Sequence, residues 1–324
     1  DFVDLVKWSY ELKRILKEKR NYEGSLEFDL PEIKVVIDEK GNTIDIHKYE
    51  LFESNKLVEE FMLVANICSA TFLDKRSEKL PAVYRIHEKP SQDKILHFFD
   101  DLENNGLKIK RVEDLTDHKF IQKTLAEVKK APNGDIISRS FLRAMMKAKY
   151  STDNIGHYGL AFKLYTHFTS PIRRYPDLMV HRLIKKHLKK LSINKAFDNK
   201  EIVEGKCLQS TIREISAVKA EYEARDTKII EYMMDKIGNK YTGIIVSVVP
   251  FGTYVRLKDI PIEGLIRARN EHSDNFIFVE DKNMFKGKRT GIELHVGKEV
   301  EIIVSNIDRE MLTIDFELVV KKKK

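Results

Sequence analysis

The segment from Gly156 to Arg182 reads GHYGLAFKLYTHFTSPIRRYPDLMVHR and holds the most informative chemistry of the 324-residue chain. Two adjacent arginines, Arg173 and Arg174, follow a proline-containing turn and precede a stretch of helical periodicity. A guanidinium group is planar and permanently charged, and it presents several donors in a fixed geometry. The two arginines are therefore well placed to bind a phosphate group.

The same segment contains three histidines that are candidate general bases or metal ligands. They are His157, His167 and His181. Because no partner motif accompanies them, a structural role is favoured for each.

The basic residues of the chain concentrate around this segment. The net charge is +7, and residues 161–190 contain eight Lys or Arg and one acid, so the rest of the chain is neutral overall. A local basic patch is typical of a surface that meets a polyanion such as nucleic acid. The alternative is the solvated face of an amphipathic helix over residues 177–191, where basic and apolar residues recur at helical spacing.

Composition excludes several classes of protein. No run approaches the roughly 20 apolar residues of a membrane-spanning helix, so a membrane protein is not expected. Cys68 and Cys207 have no CxxC or Cys/His spacing, which argues against a disulfide scaffold and a structural zinc site. The chain begins with Asp1 and shows no secretory leader, so we expect a cytoplasmic protein of which part of the parent is missing.

Hydrophobic periodicity predicts a helix-rich first part of the chain. The predicted helices span residues 3–19, 55–73, 93–104, 119–129, 138–147, 177–191 and 199–236. Two alternating segments, 33–37 and 43–46, flank a Gly-containing turn and predict a β-hairpin. A tandem acidic pair, Asp100 and Asp101, is interpreted as the solvated face of its helix.

After residue 238 the period changes from helical to two. Five short strands are predicted, at residues 241–249, 251–257, 263–266, 298–307 and 311–318. Five such strands indicate a small OB-fold barrel. Residues 321–324 form a basic tail that is expected to be disordered.

The segment 156–182 resembles the signature of the ribonuclease II and ribonuclease R family, whose catalytic RNB domain carries an SPIRRY stretch after an HYGL turn. The resemblance extends back through residues 58–66 and 84–88, which are similar to the family's EE-x-M-x-x-AN and FRxHE stretches. It extends forward into the barrel, where residues 251–255 and 263–266 resemble an S1-type RNA-binding domain. The insertion around residues 287–291 looks more like ribonuclease R than ribonuclease II.

The resemblance implies an α+β fold. It places the C-terminal portion of an RNB catalytic domain at residues 1–237 and a five-stranded OB-fold (S1-type) domain at 238–320. It also implies a processive 3′-to-5′ exoribonuclease of the ribonuclease R type that releases nucleoside 5′-monophosphates and acts on single-stranded RNA.

In the family, clustered aspartates hold the Mg²⁺ that activates water. This sequence contains no such cluster. The metal ligands, and the family's tyrosine that favours RNA over DNA, are therefore expected upstream, in the other half of the RNB domain.

The family's functional residues can be carried over to matching positions. Arg173 matches the arginine that clamps the scissile phosphate, and Arg174 and Lys163 are candidate supports for neighbouring phosphates. Glu60, with Glu59 as a second candidate, matches the acid that accepts hydrogen bonds from the terminal ribose.

Phe28 lies where the family has an aromatic that wedges against the terminal bases, although a role in the core is equally compatible with the sequence. The family's Glu before Arg-Asp is replaced by Ala224, so the role of that acid is open and Glu223 is a candidate substitute.

In the barrel, Phe251 and Tyr254 fall on aromatic positions that stack RNA bases in S1-type domains. Arg267 stands where many such domains have His, and Asp308 matches an acid of the binding face. Leu312 replaces an Arg that often follows, which predicts weaker binding. The alternative is that the aromatics only fill the barrel.

A rival hypothesis is a non-catalytic RNA-binding module, because the metal-binding aspartates are not in this chain. The resemblance favours the exoribonuclease, with Mg²⁺ as its cofactor.

Overall fold

The computed structural model describes residues 1–26, 33–49, 51–78, 80–110, 112–131, 134–191, 199–270 and 274–319. Its helices are α1 (Phe2–Glu23), α2 (Glu53–Asp74), α3 (Gln92–Asn104), α4 (His118–Val128), α5 (Gly134–Ala144), α6 (Tyr175–Lys189) and α7 (Lys200–Met233). The strands before the barrel are β1 (Ile33–Ile37), β2 (Thr43–Lys48), β3 (Tyr84–Ile86) and β4 (Lys149–Ser151). The remaining strands are β5 (Lys240–Val249), β6 (Gly252–Leu257), β7 (Glu263–Arg267), β8 (Arg269–Asn270), β9 (Asp274–Val279), β10 (Met284–Gly287), β11 (Glu293–Leu294), β12 (Glu299–Asp308) and β13 (Thr313–Leu318).

The chain divides into two compact units. The first comprises residues 1–27, 51–89 and 146–218, and the second comprises residues 28–50, 90–145 and 219–324. These units do not coincide with a boundary at residue 237, because α3, α4, α5 and the β1–β2 hairpin group with the barrel.

The first unit is built around α2, which packs against both α1 and α6. The end of α2 and the buried face of α6 share a core with the antiparallel pair β3–β4 and the start of α7. Its most buried apolar residues include Leu73, Val83, Val180 and Cys207. Helix α1 ends at Gly24, whose φ of 107° is the left-handed conformation that glycine adopts without strain.

The second unit contains a closed barrel with the strand order β12-β13-β7-β6-β5. Alternate residues of each strand face inward, as in β6, where Thr253, Val255 and Leu257 are buried. Helix α5 packs against β5, and Phe98 of α3 contacts Phe141 of α5 with ring centroids 5.2 Å apart. Strands β8 to β11 form a separate four-stranded sheet inserted between β7 and β12.

The structure confirms the α+β class and the five predicted barrel strands. The β1–β2 hairpin also forms, with Asp38 accepting hydrogen bonds from the backbone amides of Lys40 and Asn42 in the turn. The inserted sheet was not predicted. Phe28 and the basic tail lie outside the described residues, and the domain boundary at 237 stays a prediction.

The interpretation of Asp100 and Asp101 as a solvated pair is wrong for Asp101. Its exposed fraction is 3%, and its Oδ1 accepts a hydrogen bond from Asn283 Nδ2 at 3.1 Å. The acid is buried because the β9–β10 connection packs over this face of α3, a tertiary contact that local periodicity does not reveal.

Among the described residues, no helix has both the length and the apolar composition needed to cross a membrane.

Gly252 is required where β6 passes close to β7. A Cβ at this position would lie 2.3 Å from the carbonyl oxygen of Ile266, a backbone atom that cannot move aside easily. We expect Gly252→Ala to destabilise the barrel by about 1–3 kcal/mol through overpacking. Gly205→Ala is the control, because no atom lies within 4 Å of the added Cβ in its helix. It should stabilise by about 0.5–1 kcal/mol. Scanning calorimetry of both variants checks this, and equal melting temperatures would contradict it.

Candidate functional site

The turn before α6 is organised by one buried carboxylate. Asp177 in the first turn of α6 has no exposed surface, and its Oδ2 accepts a hydrogen bond from the backbone amide of Ser170 at 2.7 Å. The same oxygen accepts a hydrogen bond from Nη2 of Arg174 at 2.8 Å. The carbonyl of Ser170 accepts from the amides of Arg173 and Arg174, which closes the turn. A charge-assisted pair of this kind fixes both geometry and orientation.

The closed turn leaves Arg173 directed to solvent at the start of α6. The side chain is exposed and has no hydrogen-bond or ion-pair partner among the described residues. Its neighbour Ile172 is also completely exposed. The N-terminus of a helix carries partial positive charge and free amides, so an anion is favoured here. Arg173 is thus a cation without a counter-ion at a position that attracts anions.

A cavity of about 540 Å³ lies in the first unit beside this turn. Its polar lining combines the carboxylate of Glu59, the amide of Asn66, the hydroxyls of Tyr165 and Thr169 and the guanidinium of Arg174. The apolar part of the lining comes from α2, which also carries Glu59 and Asn66, and includes Val58, Met62 and Leu63. The cavity therefore offers an apolar wall opposite hydrogen-bonding groups of both charge signs.

Two donors in this cavity await an acceptor. Arg174 Nε and Thr169 Oγ1 are buried and have no hydrogen-bond partner among the described residues. Leaving a buried polar group unsatisfied costs roughly 1–3 kcal/mol. In the same turn Asp177 Oδ1 is a buried acceptor without a hydrogen-bond partner among the described residues.

Asn66 anchors the arginine-bearing segment to α2. Its Nδ2 donates to the Tyr165 hydroxyl at 3.1 Å, and its Oδ1 accepts from the Phe168 amide at 2.9 Å. The side chain is 3% exposed. Neither Asn66 nor Tyr165 was a candidate from the sequence. A lone Asn in the apolar part of α2 was the feature that could have indicated a role for Asn66.

The two adjacent acids of α2 have different environments. Glu59 is exposed and lines the cavity. Glu60 is buried, and its Oε1 accepts a hydrogen bond from Nη2 of Arg20 at 2.5 Å. Nη1 of the same arginine donates to the hydroxyl of Ser25. The expectation that Glu60 is the principal ligand-facing acid is therefore corrected in favour of Glu59, because Glu60 is committed to tying α1 to α2.

Lys163 is exposed, and its side chain has no polar partner among the residues that the structure describes. Its backbone carbonyl accepts from Asn154 Nδ2 at 2.9 Å, which fixes the backbone position. It is thus an exposed positive charge that is available to a polyanion.

The three histidines have structural contacts. The Nδ1 of His167 lies 2.8 Å from the Tyr150 hydroxyl, and the Nε2 of His181 lies 2.8 Å from the Phe168 carbonyl. Burial, together with the charges of Arg174 and Arg85, lowers the pKa of His167 to about 2. Burial and the neighbouring His87 lower the pKa of His157 to about 3.

The barrel brings its aromatic candidates together on the outer face of β6. Phe251 is 58% exposed in the turn before β6, and its ring lies 6.5 Å from that of Tyr254. Arg267 lies opposite Gly252 on β7, is largely exposed and pairs with Asp315 at 3.1 Å. This arrangement offers two rings and a cation to a strand of stacked bases.

Asp308 has a structural role in the barrel. Its Oδ1 accepts from the amides of Glu310 and Met311, both at 2.9 Å, in the turn between β12 and β13. One oxygen of the carboxylate is therefore occupied by the hydrogen bonds of the turn.

The acids near Ala224 form ion pairs along α7, and the role of Glu223 as a substitute stays a prediction. Glu223 forms an ion pair with Lys219 at 3.6 Å, and Asp226 pairs with Arg225 at 3.0 Å. These are contacts along one helix.

Within the described residues, no group of three or more His, Cys, Asp or Glu side chains could hold a metal ion. The residues present in the described part of the chain therefore do not fit a metal site.

Comparison with known proteins identifies the family. A model described as the RNB domain matches residues 3–190, and one described as the S1 RNA binding domain matches residues 234–318. The arginine-bearing turn and the closed five-stranded barrel define a protein that joins an RNB-type unit to an S1-type barrel. The chain belongs to the RNB family.

Ribonuclease R proteins are its relatives. The chain is 38% identical over 325 residues to ribonuclease R of Aquifex aeolicus (strain VF5), covering 100% of this chain and 45% of that protein. It is also 38% identical over 319 residues to ribonuclease R 1 of Lactococcus lactis subsp. lactis (strain IL1403), covering 97% and 38%. The structure of Mycoplasma genitalium RNase R in complex with ribose-methylated single-stranded RNA matches with a TM-score of 0.91 at 27% identity. That match covers 98% of this chain and 50% of the other. The chain spans less than half the length of these curated relatives.

The low pKa values of His157 and His167 predict acid sensitivity. Both values lie below the roughly 6.5 expected in the unfolded chain, so the unfolded state binds more protons below that pH. The stabilisation is complete above pH 6.5 and is lost as pH falls, by about 1.4 kcal/mol per pH unit for each histidine.

We expect the unfolding free energy, measured with urea at pH 7.5 and 5.5, to fall accordingly. His167→Asn keeps a polar atom near the Tyr150 hydroxyl and should flatten this dependence, whereas His97→Asn at an exposed position should not. An unchanged slope in His167→Asn would contradict the prediction.

Proposed function

We propose that this chain is part of a 3′-to-5′ exoribonuclease of the ribonuclease R type, which hydrolyses RNA processively to nucleoside 5′-monophosphates. RNB-family nucleases are hydrolytic exoribonucleases that depend on divalent metal ions, and a structural relative of this chain was solved with single-stranded RNA. The observation that carries the proposal is the exposed Arg173, which has no partner among the described residues, beside a cavity lined by Glu59 and Arg174. The compartment we propose is the cytoplasm.

The proposed roles follow from the positions of the side chains. Arg173 clamps the scissile phosphate and stabilises the negative charge that develops on its oxygens, because its guanidinium is free and forked. Arg174 has one donor held by Asp177 and one unsatisfied, so it supports a neighbouring phosphate. Lys163 adds an exposed positive charge. Glu59 accepts hydrogen bonds from the terminal ribose at the cavity.

The barrel extends the RNA contact. Phe251 and Tyr254 stack on bases, which is worth roughly 1–3 kcal/mol per base and does not depend on sequence. Arg267 supplies a phosphate contact or a stacking surface. Asp308 contributes mainly by holding the β12–β13 turn. Phe28 remains a proposed wedge against the terminal bases. We also retain 1–237 and 238–320 as the RNB portion and the S1-type domain.

We propose Mg²⁺ as the metal, held by ligands from outside this chain. It would supply activation of the attacking water and charge stabilisation at the leaving oxygen. This chain's own residues bind and orient the RNA end, and Arg173 stabilises the charge that develops on the scissile phosphate.

A second candidate function is a non-catalytic RNA-binding module. It is favoured by the lack of a metal-binding cluster in the described part of the chain. Both functions require single-stranded RNA binding, and only the first requires phosphodiester hydrolysis.

Replacing Arg173 by lysine in the full-length protein separates the two functions. Lysine keeps the charge but loses the forked geometry, so the cleavage rate should fall more than RNA affinity. We expect a loss of about 10²–10³ in rate, or roughly 3–4 kcal/mol, from single-turnover kinetics on a short oligonucleotide, with a binding titration in parallel. Arg213→Lys, at an exposed position of α7, is the control.

If affinity drops tenfold while the cleavage rate holds, Arg173 only tethers RNA. If the unmodified full-length protein binds RNA but releases no mononucleotide with any divalent metal, the binding module is the correct function.

A further inference from the structure

A second cavity, of about 390 Å³, lies within the second unit. It is bounded by α3, α5, the end of β5 and the β9–β10 connection. None of its lining residues takes part in the functions assigned above. Its lining has three chemically distinct parts: a buried acid, apolar walls and exposed basic side chains.

The buried acid is Asp101. Its Oδ1 accepts from Asn283 Nδ2, and Asn105 Nδ2 donates to the Asp101 carbonyl at 2.7 Å, so the residue is held in place. Burial raises the pKa of Asp101 to about 6, opposed by a hydrogen bond with Ser140 and by the charge of Arg143. At pH 7.5 the carboxylate is mostly ionised. A carboxylate has about four acceptor positions, so Asp101 can accept further hydrogen bonds from a ligand.

The walls are apolar. The half-buried ring of Phe278 and Pro250 line the cavity together with Phe98 and Val248, which are 1% and 8% exposed, and the ring of Phe278 lies 5.3 Å from that of Phe285. Such walls favour a planar aromatic group, which removes apolar surface from water on entering.

Three basic residues complete the lining. Lys94, His97 and Arg143 are exposed and therefore face solvent from the cavity. Glu280 is the acid among the exposed lining residues, and His97 Nδ1 lies 3.8 Å from the carboxylate of Asp100, so Lys94 and Arg143 supply the positive charge of the opening. Basic side chains at the mouth of an apolar cavity favour a ligand with an anionic end.

We propose that this cavity binds a nucleotide, with the base between the apolar walls, its N–H edge on Asp101 and its phosphate at Lys94 and Arg143. A hydrocarbon ligand would offer no hydrogen bond to Asp101, and a simple anion would make no contact with the apolar walls. Pro250 lines the cavity and the exposed Phe251 follows directly, so the nucleotide comes either from an RNA strand on the barrel or from a free mononucleotide.

The chemistry of the acid predicts a preference for guanine. Guanine presents two adjacent N–H donors to a carboxylate, whereas uracil presents one donor between two carbonyl oxygens that a carboxylate repels. We therefore expect the order guanine first, then cytosine and adenine, and uracil last.

Calorimetric titration of the chain with 5′-GMP, 5′-UMP and inorganic phosphate tests the proposal. We expect 5′-GMP to bind at least tenfold more tightly than 5′-UMP, and phosphate to bind more weakly than both. The variants of Lys94 and Arg143 separate binding in this cavity from binding at Arg173 in the first unit.

Two variants test the assignment of residues. Lys94→Gln with Arg143→Gln should weaken 5′-GMP binding at least tenfold, while Lys110→Gln with Lys123→Gln, an exposed pair outside the cavity, should not. Asp101→Asn should reduce the preference for 5′-GMP over 5′-UMP about tenfold. If Asp101→Asn fails to fold, the variant with Lys94→Gln and Arg143→Gln still tests the proposal.

The affinity of the same variants for a guanine-containing RNA pentamer shows where the nucleotide comes from. A parallel loss of pentamer and 5′-GMP affinity assigns the site to the RNA strand, and a loss for 5′-GMP alone assigns it to a free nucleotide. The proposal is overturned if no mononucleotide binds, or if the basic-pair variant and its control bind 5′-GMP equally.

Discussion

The arginine-bearing turn depends on the buried carboxylate of Asp177. A charge with no exposed surface is costly unless it is paired and hydrogen-bonded, and here the Ser170 amide and the Arg174 guanidinium meet that requirement on one oxygen. These two bonds tie both ends of the turn 170–174 to the first turn of α6, and the Ser170 carbonyl closes the turn by accepting from the amides of Arg173 and Arg174. Arg174 is consumed in part by this pairing, so Arg173 is the arginine that remains free for a ligand.

The groups around the turn do not neutralise its positive charge, which stays available to an external anion. The positive charges of Arg173 and Arg174 contribute to the low pKa of His167, so this histidine is neutral and bonds to Tyr150 without adding charge. Asn66 holds the segment to α2 with neutral hydrogen bonds on both sides. Glu60, which is buried in the same helix, is neutralised by Arg20. Glu59 is therefore the acid of α2 that faces the cavity.

The sequence predicted features that local pattern determines. The five barrel strands followed from alternation, and the positions of Arg173 and Arg174 before a helix followed from the proline turn and the helical period. Phe251 is exposed and Tyr254 is half-buried against the barrel core, and their role in stacking RNA bases stays a prediction.

Features that depend on packing between distant segments were not predictable. Local periodicity gave no reason to separate Glu59 from Glu60, because the difference arises from Arg20, forty residues away. Asp101 resembled a solvated acid until the β9–β10 connection covered it. Asn66 joined the site only through its contact with residues about a hundred positions later.

We propose that Asp177 acts on RNA by holding the turn that presents Arg173. A double-mutant cycle of Asp177→Asn and Arg173→Gln, measured as affinity for a single-stranded RNA oligonucleotide under conditions where all four proteins are folded, tests this most directly. We expect each single variant to weaken binding and the double variant to bind no more weakly than Arg173→Gln, with a coupling free energy of about 1 kcal/mol or more. Losses that add to within about 0.5 kcal/mol would contradict it, as would tighter binding by Asp177→Asn, the result expected if only the negative charge mattered.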